Sequence, residues 1–184
     1  GIDLYGERRL HELMDRLSDV EGLEWIRLHY AYPSKLPFEV LPVMNSKPNI
    51  CKYLDIPIQH ISDNVLKSMR RGITKRRTEE VLDRIKSEVS GIALRTTLLV
   101  GHPGEYDQDF DELMEFVQHY KFNRLGVFTY SHEGGTHAGT LEDHVAETVK
   151  SARADQVMAL QHDISEMHNE ALIGTHQRVL IDRV

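Results

Sequence analysis

The sequence has little of several residue types, and each scarcity excludes a class of protein. Its 184 residues include one cysteine, Cys51, so no disulfide framework exists and a reducing cytoplasm is the expected location. No apolar run approaches the length of a membrane span, so we expect no membrane association. Basic residues are outnumbered, 22 against 29 acidic ones, and the net charge of −7 argues against a general binder of nucleic-acid backbone.

The two ends of the chain also lack features. Residues 1–6 contain no initiator Met and form no signal peptide, which predicts an excised piece of a longer protein. Residues 178–184 resemble the start of a strand that is cut off. The chain contains no HExxH, GxSxG, P-loop or Rossmann fingerprint, so these common catalytic motifs do not define its chemistry.

What the chain does contain is a regular alternation of strand and helix patterns. Strands are predicted at residues 24–30, 52–58, 92–100 and 123–130, each followed by a helical pattern. This spacing predicts βαβ units in an α/β fold with a parallel sheet, either part of a (βα) barrel or an open sheet. The predicted helices cover residues 7–20, 38–45 (interrupted by Pro42), 63–70 (with Ser62 as N-cap), 74–89 (with Thr74 as N-cap), 107–120 and 141–172.

The last of these helices is predicted to carry an apolar stripe for the core. The residues of this stripe are Val145, Val149, Ala152, Leu160, Ile164 and Ala171.

The strand from Ile92 to Val100 and the turn after it are the most informative stretch. An almost continuously apolar strand is typical of a parallel sheet that is covered on both faces. The glycines of the following GHPGE turn would let the backbone approach a ligand at the carboxyl end of the strand, where βα proteins bind ligands. The alternative is a plain connection, in which Glu105 complements the dipole of the next helix.

Alternating strand residues predict a polar inner face. The expected inward-facing residues are Arg27, His29, Asp55, Gln59, Arg95, Thr97, Gly126, Phe128 and Tyr130. Asp55 could pair with Arg27 or Arg95 in an internal ion-pair network, because buried charges need partners. Alternatively Arg95, Gln59 and His60 could line a cavity for a charged small ligand.

Three further features each have a common explanation and a functional one. Phe128 and Tyr130 could stack on an aromatic ligand, although aromatic strand residues are more often core. His132 and His137 could bind a metal, although surface histidines are far commoner. The basic residues at positions 70–71 and 75–77 are typical of a solvated helix surface, with nucleic acid or an acidic partner as the alternative.

Three long motifs closely resemble the radical S-adenosylmethionine methylthiotransferases. They are CKYLDIPIQHISDNVLKSMRRG (51–72), IALRTTLLVGHPGEYDQDF (92–110) and GVFTYSHEGGTHA (126–138). The resemblance continues in EWIRLHYAYP (24–33) and in residues 169–184, so it covers essentially the whole chain. YAYP and YLDIPIQH resemble the branch that methylthiolates the β-carbon of an aspartate in a small-subunit ribosomal protein. The tRNA branch is the alternative, and a non-catalytic βα-barrel binding module is a third.

The resemblance implies a partial radical-SAM barrel in residues 1–174 without its first two strands, and the beginning of a TRAM-like domain in residues 175–184. It also implies S-adenosylmethionine and two 4Fe-4S clusters in the parent protein. The family's CxxxCxxC is absent, so we expect this chain to ligate no cluster and to be inactive alone. His102 stands where the family usually has Phe, and Tyr106 where Thr is common. A sheet without two strands exposes an edge, which could support a dimer.

The resemblance and the strand positions together predict a set of cofactor-binding residues. Gln59, Arg95 and Thr97 would face the polar groups of the cofactor, with Arg95 as a partner for its carboxylate. The remaining predicted residues are His60, Val100, Gly101, Gly104 and Phe128. No metal-ligating and no catalytic residue is predicted, and the electron donor is unknown.

Overall fold

The computed structural model describes residues 6–141 and 145–181, which form one α/β unit. The elements in chain order are α1 Leu10–Ser18, β1 Ile26–Leu28, α2 Val40–Ser46, β2 Ile50–Asp55, α3 Asp63–Ser68, α4 Lys75–Glu88, β3 Ala93–Val100, α5 Asp107–Tyr120, β4 Arg124–Thr129 and α6 Glu147–Glu170. Short 3₁₀ turns lie at Pro33–Lys35 and Ala138–Thr140.

The four strands form one parallel sheet in the order β1-β2-β3-β4, as the strand-helix alternation predicts. One face of this sheet is covered by helices and is called the outer face here. In β3 the outer residues are Leu94, Thr96, Leu98 and Val100, and all four are buried. The alternate residues of the same strand lie on the opposite, inner face and are more exposed. Each fully buried outer leucine stabilises the fold by about 1.5–3 kcal/mol relative to an exposed one.

Strand β2 ends earlier than predicted because Pro57 has no N–H to donate to a neighbouring strand. The chain rejoins the sheet two residues later, where Gln59 forms an isolated parallel bridge beside Leu98 of β3. The backbone N–H of Gln59 donates to Thr97 at 2.9 Å, and its carbonyl accepts from Leu99 at 2.8 Å. Pro57 therefore interrupts the pairing of this segment with β3, and the pairing resumes at Gln59.

The prediction that Pro42 interrupts its helix is wrong. Pro42 lies in the first turn of α2, where a missing N–H costs no helical hydrogen bond. Ser62 occupies the N-cap position of α3 as predicted, but its hydroxyl donates to the carboxylate of Asp109 and makes no capping hydrogen bond. By contrast, Thr74 caps α4 as predicted, because its side chain accepts from the N–H of Arg77.

Helix α6 differs most from its prediction. It begins at Glu147, and residues 142–144 of the predicted helix lie outside the described residues. Val149 of the predicted stripe is 39% exposed, and Ala152 and Ala171 are exposed too. The buried face is rotated by about one residue and is largely polar. It consists of Lys150, Arg153, Val157, Gln161 and Ile164.

The end of the chain also departs from its prediction. Residues 175–181 form neither helix nor strand, so the strand predicted from residue 178 is absent from its described part. A strand needs a partner for its backbone groups, and residues 178–181 pair with no strand among the described ones. Arg178 instead forms an ion pair with Glu24 and lies 5.6 Å from the ring of Trp25. Among the described residues, no helix is both long and apolar enough to cross a membrane.

Candidate functional site

A cavity of about 550 Å³ opens at the carboxyl end of the sheet and is called the upper cavity here. Residues that follow β2, β3 and β4 form its wall, and the segment after α3 and the loop after β4 close its sides. Its lining includes Gln59, Ser68, Met69, Arg70, Arg71, Leu99, His102, Thr129, Tyr130, Ser131, Glu133, Thr136, His137 and Ala138. Its volume falls in the range of small-molecule sites, and its position matches the usual ligand end of βα folds.

Gln59 is the predicted site residue that the structure most clearly places in the upper cavity. Its backbone has φ = 74°, a left-handed conformation that non-glycine residues rarely adopt. The two backbone hydrogen bonds to β3 hold this conformation in place. Its side-chain amide makes no hydrogen bond to any described residue and is therefore available to a ligand. Backbone strain of this kind is common at binding sites.

The GHPGE turn is held together by the carboxylate of Glu105, which is buried. One of its oxygens accepts from the N–H groups of Gly101 at 2.7 Å and His102 at 3.2 Å. The other oxygen accepts from Arg153 of α6 at 2.8 Å. Burial raises the pKa of Glu105, and the Arg153 guanidinium opposes that shift. Glu105 thus anchors the turn from within and ties it to α6.

Gly101 shows which group its backbone approaches. With φ = 76°, a Cβ on this residue would lie 2.2 Å from Cγ of Lys150. The stem of Lys150 therefore occupies the space that a larger residue would need. Its ammonium group donates to the carbonyl of Tyr130 at 3.3 Å and to Glu147 at 2.6 Å. By contrast, Gly104 has open space around it.

His102 forms part of the cavity wall and is 4% exposed. Its Nδ1 lies 2.9 Å from the carbonyl of Pro103 and therefore carries a proton, because a carbonyl can only accept. Its ring lies edge-on to that of Tyr130, with 5.5 Å between centroids. Burial lowers the pKa of His102, so the neutral form dominates at pH 7.

The other predicted residues occupy different surroundings. His60 is fully buried and does not line the upper cavity. Its Nε2 lies 3.8 Å from the Glu105 carboxylate and has no hydrogen-bond partner among the described residues. Val100 is buried on the outer face. Thr97 lies on the inner face, and Phe128 lies there too with 65% of its surface exposed.

Arg95 lies apart from Gln59, in a second cavity of about 480 Å³ that is called the lower cavity here. The lower cavity lies at the amino end of the inner face, and Arg27, His29, Tyr53, Ala93, Arg95, Asn123, Arg124, His168, Asn169 and Leu172 line it. Arg95 donates to Asp55 at 3.4 Å, which confirms one of the two pairings predicted for Asp55.

Within residues 6–141 and 145–181, few side chains lie close enough together to share a metal ion. Cys51 is half-buried in β2. His162, Asp163 and Glu166 form the one group of three in this part of the chain, all exposed on the solvent side of α6. Nδ1 of His137 accepts from Arg70 at 3.0 Å, and His137 belongs to no such group among the described residues. A 4Fe-4S cluster needs several thiolates, which one cysteine does not supply.

Several residues of this site were not predicted from the sequence. The lining of the upper cavity includes residues 69–71 and much of the loop after β4. These residues lie within the motifs that carry the family resemblance, but they were not among the predicted cofactor-binding residues. Lys150 and Arg153 were missed because a helix pattern is searched for apolar residues, and these two are charged. A signal did exist, since the two cations are three residues apart and therefore share one helix face.

The family can now be stated from comparison with known proteins. The sequence profile described as the Radical SAM superfamily matches residues 3–117, more than half of the chain, and the chain belongs to this superfamily. Its fold is similar to that of coproporphyrinogen III oxidase (HemN) from Escherichia coli, with a TM-score of 0.63 and 17% identity over 83% of this chain and 36% of that one. The fold is thus a partial radical-SAM barrel.

Two curated relatives are much more similar in sequence. The ribosomal protein uS12 methylthiotransferase RimO of Porphyromonas gingivalis is 56% identical over all 184 residues, and that of Flavobacterium johnsoniae is 54% identical over 183. In both comparisons the chain is covered completely, but it spans only 42% of the length of these relatives.

Proposed function

We propose that this chain is the S-adenosylmethionine-binding core of a cytoplasmic radical SAM methylthiotransferase that modifies an aspartate of a small-subunit ribosomal protein. The observation that carries this proposal is the 56% identity to a uS12 methylthiotransferase along the entire chain. Because the relatives are more than twice as long, the complete activity requires further segments.

The upper cavity fits S-adenosylmethionine in size and in chemistry. The side-chain amide of Gln59 offers both a donor and an acceptor without a competing partner among the described residues. Leu99 and Met69 supply apolar wall for a purine ring, and His102 adds a ring nitrogen. When bound, S-adenosylmethionine supplies the methyl group and the radical chemistry of the superfamily. The residues of this chain bind it, orient it and exclude water from one side.

The iron-sulfur cluster does not fit the residues of this chain. A single half-buried cysteine cannot supply the three thiolates that such a cluster takes. We therefore propose that the cluster ligands belong to segments of the longer protein, and no reaction step is assigned to this chain through the cluster.

The binding proposal is tested by titrating S-adenosylmethionine into the 184-residue chain in a calorimeter. Gln59→Ala should weaken binding by about two- to tenfold, because a net hydrogen bond contributes about 0.5–1.5 kcal/mol. Gln118→Ala, on the exposed surface of α5, is the matched control and should bind like the wild type. Absence of binding to the wild-type chain would contradict the cofactor assignment.

The same titration tests the predicted role of Arg95 as a partner of the methionine carboxylate. If Arg95 has this role, Arg95→Ala weakens the binding of S-adenosylmethionine but not that of adenosine, which lacks the carboxylate. Because Arg95 lines the lower cavity and Gln59 the upper one, we expect no change for either ligand. Equal affinity of wild type and variant for both ligands would show that Arg95 serves another group. Predicted contacts from Thr97, Gly104 and Phe128 can be tested with the same pair of ligands.

The substrate is tested with a chimera in which this chain replaces the matching segment of the P. gingivalis relative. The reconstituted chimera is incubated with uS12 and, separately, with tRNA, and each product is analysed by mass spectrometry. A methylthio group on uS12 is expected. Modification of tRNA alone would favour the tRNA branch, and an inactive chimera that still binds S-adenosylmethionine would favour a binding module.

A further inference from the structure

A row of charged residues crosses the sheet beside the lower cavity. Asp55 of β2, Arg95 of β3 and Arg124 of β4 occupy paired positions in the parallel register. Paired residues point to the same face, and their strands lie about 4.8 Å apart. His29, which follows β1, approaches the same carboxylate, with Nδ1 3.9 Å from Asp55. The buried carboxylate of Asp55 therefore lies beside both Arg95 and His29.

The positive charge of this row is not balanced within the described residues. Arg124 donates to the carbonyl of Asn123 at 3.2 Å and has no carboxylate partner in the described part of the chain. Arg27 lies 5.0 Å from the centroid of the Tyr53 ring and likewise pairs with no described carboxylate. Like charges that face each other on neighbouring strands destabilise a sheet, as Arg95 and Arg124 do here.

The surroundings of the two arginines form a concave site. The lower cavity encloses about 480 Å³ between the strands and the end of α6, which contributes His168 and Asn169. Three arginines and no carboxylate are among its lining residues, although the chain as a whole has a net charge of −7. A local positive excess in an acidic protein attracts anions and concentrates them at the site.

We propose that the lower cavity is an oxyanion-binding site in which Arg95 and Arg124 hold a carboxylate or phosphate group between them. Guanidinium groups form paired hydrogen bonds with such groups, and neighbouring register positions place two of them on one ligand. The site is separate from the upper cavity, because four residues along β3, from Arg95 to Leu99, span about 13 Å. It does not depend on the function proposed for the upper cavity.

The proposal is tested by thermal unfolding and calorimetry of the 184-residue chain with inorganic phosphate or succinate. Sodium chloride at matched ionic strength is the reference for general screening. Phosphate or succinate should raise the unfolding midpoint above that reference, and Arg124→Gln should weaken the binding at least tenfold. Without added anion, Arg124→Gln should unfold at a higher temperature than the wild type, because it removes the repulsion.

A matched control separates this site from surface charge in general. Arg76→Gln removes an exposed arginine that is paired with Glu80 on α4, and it should leave phosphate binding unchanged. If phosphate and succinate act no more strongly than sodium chloride, or if Arg124→Gln binds like the wild type, the proposal is wrong. Competition between phosphate and S-adenosylmethionine would also overturn it, because the methionine carboxylate would then occupy the arginines.

The source of the oxyanion is distinguished by repeating the titration on the chimera. If both the chimera and the chain bind phosphate or succinate, the natural ligand is a free oxyanion. If only the chain binds, an acidic side chain from another segment of the longer protein fills the site. Both results support the oxyanion site. If neither the chimera nor the chain binds phosphate or succinate, the proposal is wrong.

Discussion

Helices α5 and α6 pack beside one another against the sheet, but they are attached to the fold by different forces. The buried face of α5 is mainly apolar, with Phe110, Leu113 and Val117 in the core. The buried face of α6 presents Lys150 and Arg153 to groups at the ends of strands and turns. From this difference we infer that α5 stabilises the fold by excluding water, while α6 positions the candidate site through hydrogen bonds.

This division can be tested by measuring stability and ligand affinity together. A substitution in the buried face of α5 should change stability alone. One in the buried face of α6 should change both, because Arg153 and Lys150 contact the turn that forms the wall of the upper cavity.

The largest effect is expected for Arg153→Ala. This change leaves the buried carboxylate of Glu105 without its cation and should cost about 3–5 kcal/mol of unfolding free energy, as measured by urea denaturation. It should also weaken the binding of S-adenosylmethionine, because the GHPGE turn loses this contact with α6. Arg153→Lys keeps the charge but loses the paired donors of the guanidinium group. Its unfolding free energy and its affinity should lie between those of the wild type and of Arg153→Ala. An Arg153→Ala variant with wild-type affinity would contradict the positioning role.

Leu113→Ala in α5 should cost about 2–5 kcal/mol, because it leaves a cavity in the core. Its affinity for S-adenosylmethionine, measured well below the unfolding midpoint, should equal that of the wild type. A loss of affinity as large as that of Arg153→Ala would show that the two helices do not divide their roles in this way.

Acid should destabilise the fold through His60, which is fully buried beside Glu105. Burial lowers the pKa of His60 to about 4, so the folded state keeps the ring neutral while the unfolded state binds a proton below about pH 6.5. Stability is therefore lost as the pH falls from about 6.5 to 4, by on the order of 3 kcal/mol.

The matched measurement is the difference between wild type and His60→Gln over this pH range. Burial raises the pKa of Glu105, so in both proteins this group makes the folded state more stable as the pH falls. The pKa of Asp109 is lowered, so in both proteins this group makes the folded state less stable at still lower pH. The difference isolates the contribution of His60 as long as these groups titrate alike. A pH-independent difference would contradict the neutral buried ring.

The smallest effect is expected for Lys150→Met, which keeps the stem beneath Gly101 but removes the ammonium group. Because Glu147 is largely exposed, the lost ion pair should cost about 1 kcal/mol or less. Lys150→Ala should cost more, since the space under the turn is then empty. Equal losses for the two variants would show that the charge, and not the stem, supports the turn.

The same comparison explains how much could be predicted from sequence. The boundaries of α5 and the parallel order of the strands follow from apolar periodicity and strand-helix alternation, which are local signals. The buried face of α6 could not be predicted in this way, because its cations are buried only by virtue of distant partners. Gln59 was identified from its place at a strand end, but its left-handed backbone depends on the proline two residues earlier and on β3.

The Glu105–Arg153 contact has a consequence for synthesis of the chain. Its two residues are 48 positions apart, so the turn leaves the ribosome long before the cation that neutralises it. Until α6 emerges, burial of this carboxylate would leave it without its cation, which is unfavourable. The turn beside the upper cavity can therefore reach its final arrangement only after residue 153 has been synthesised.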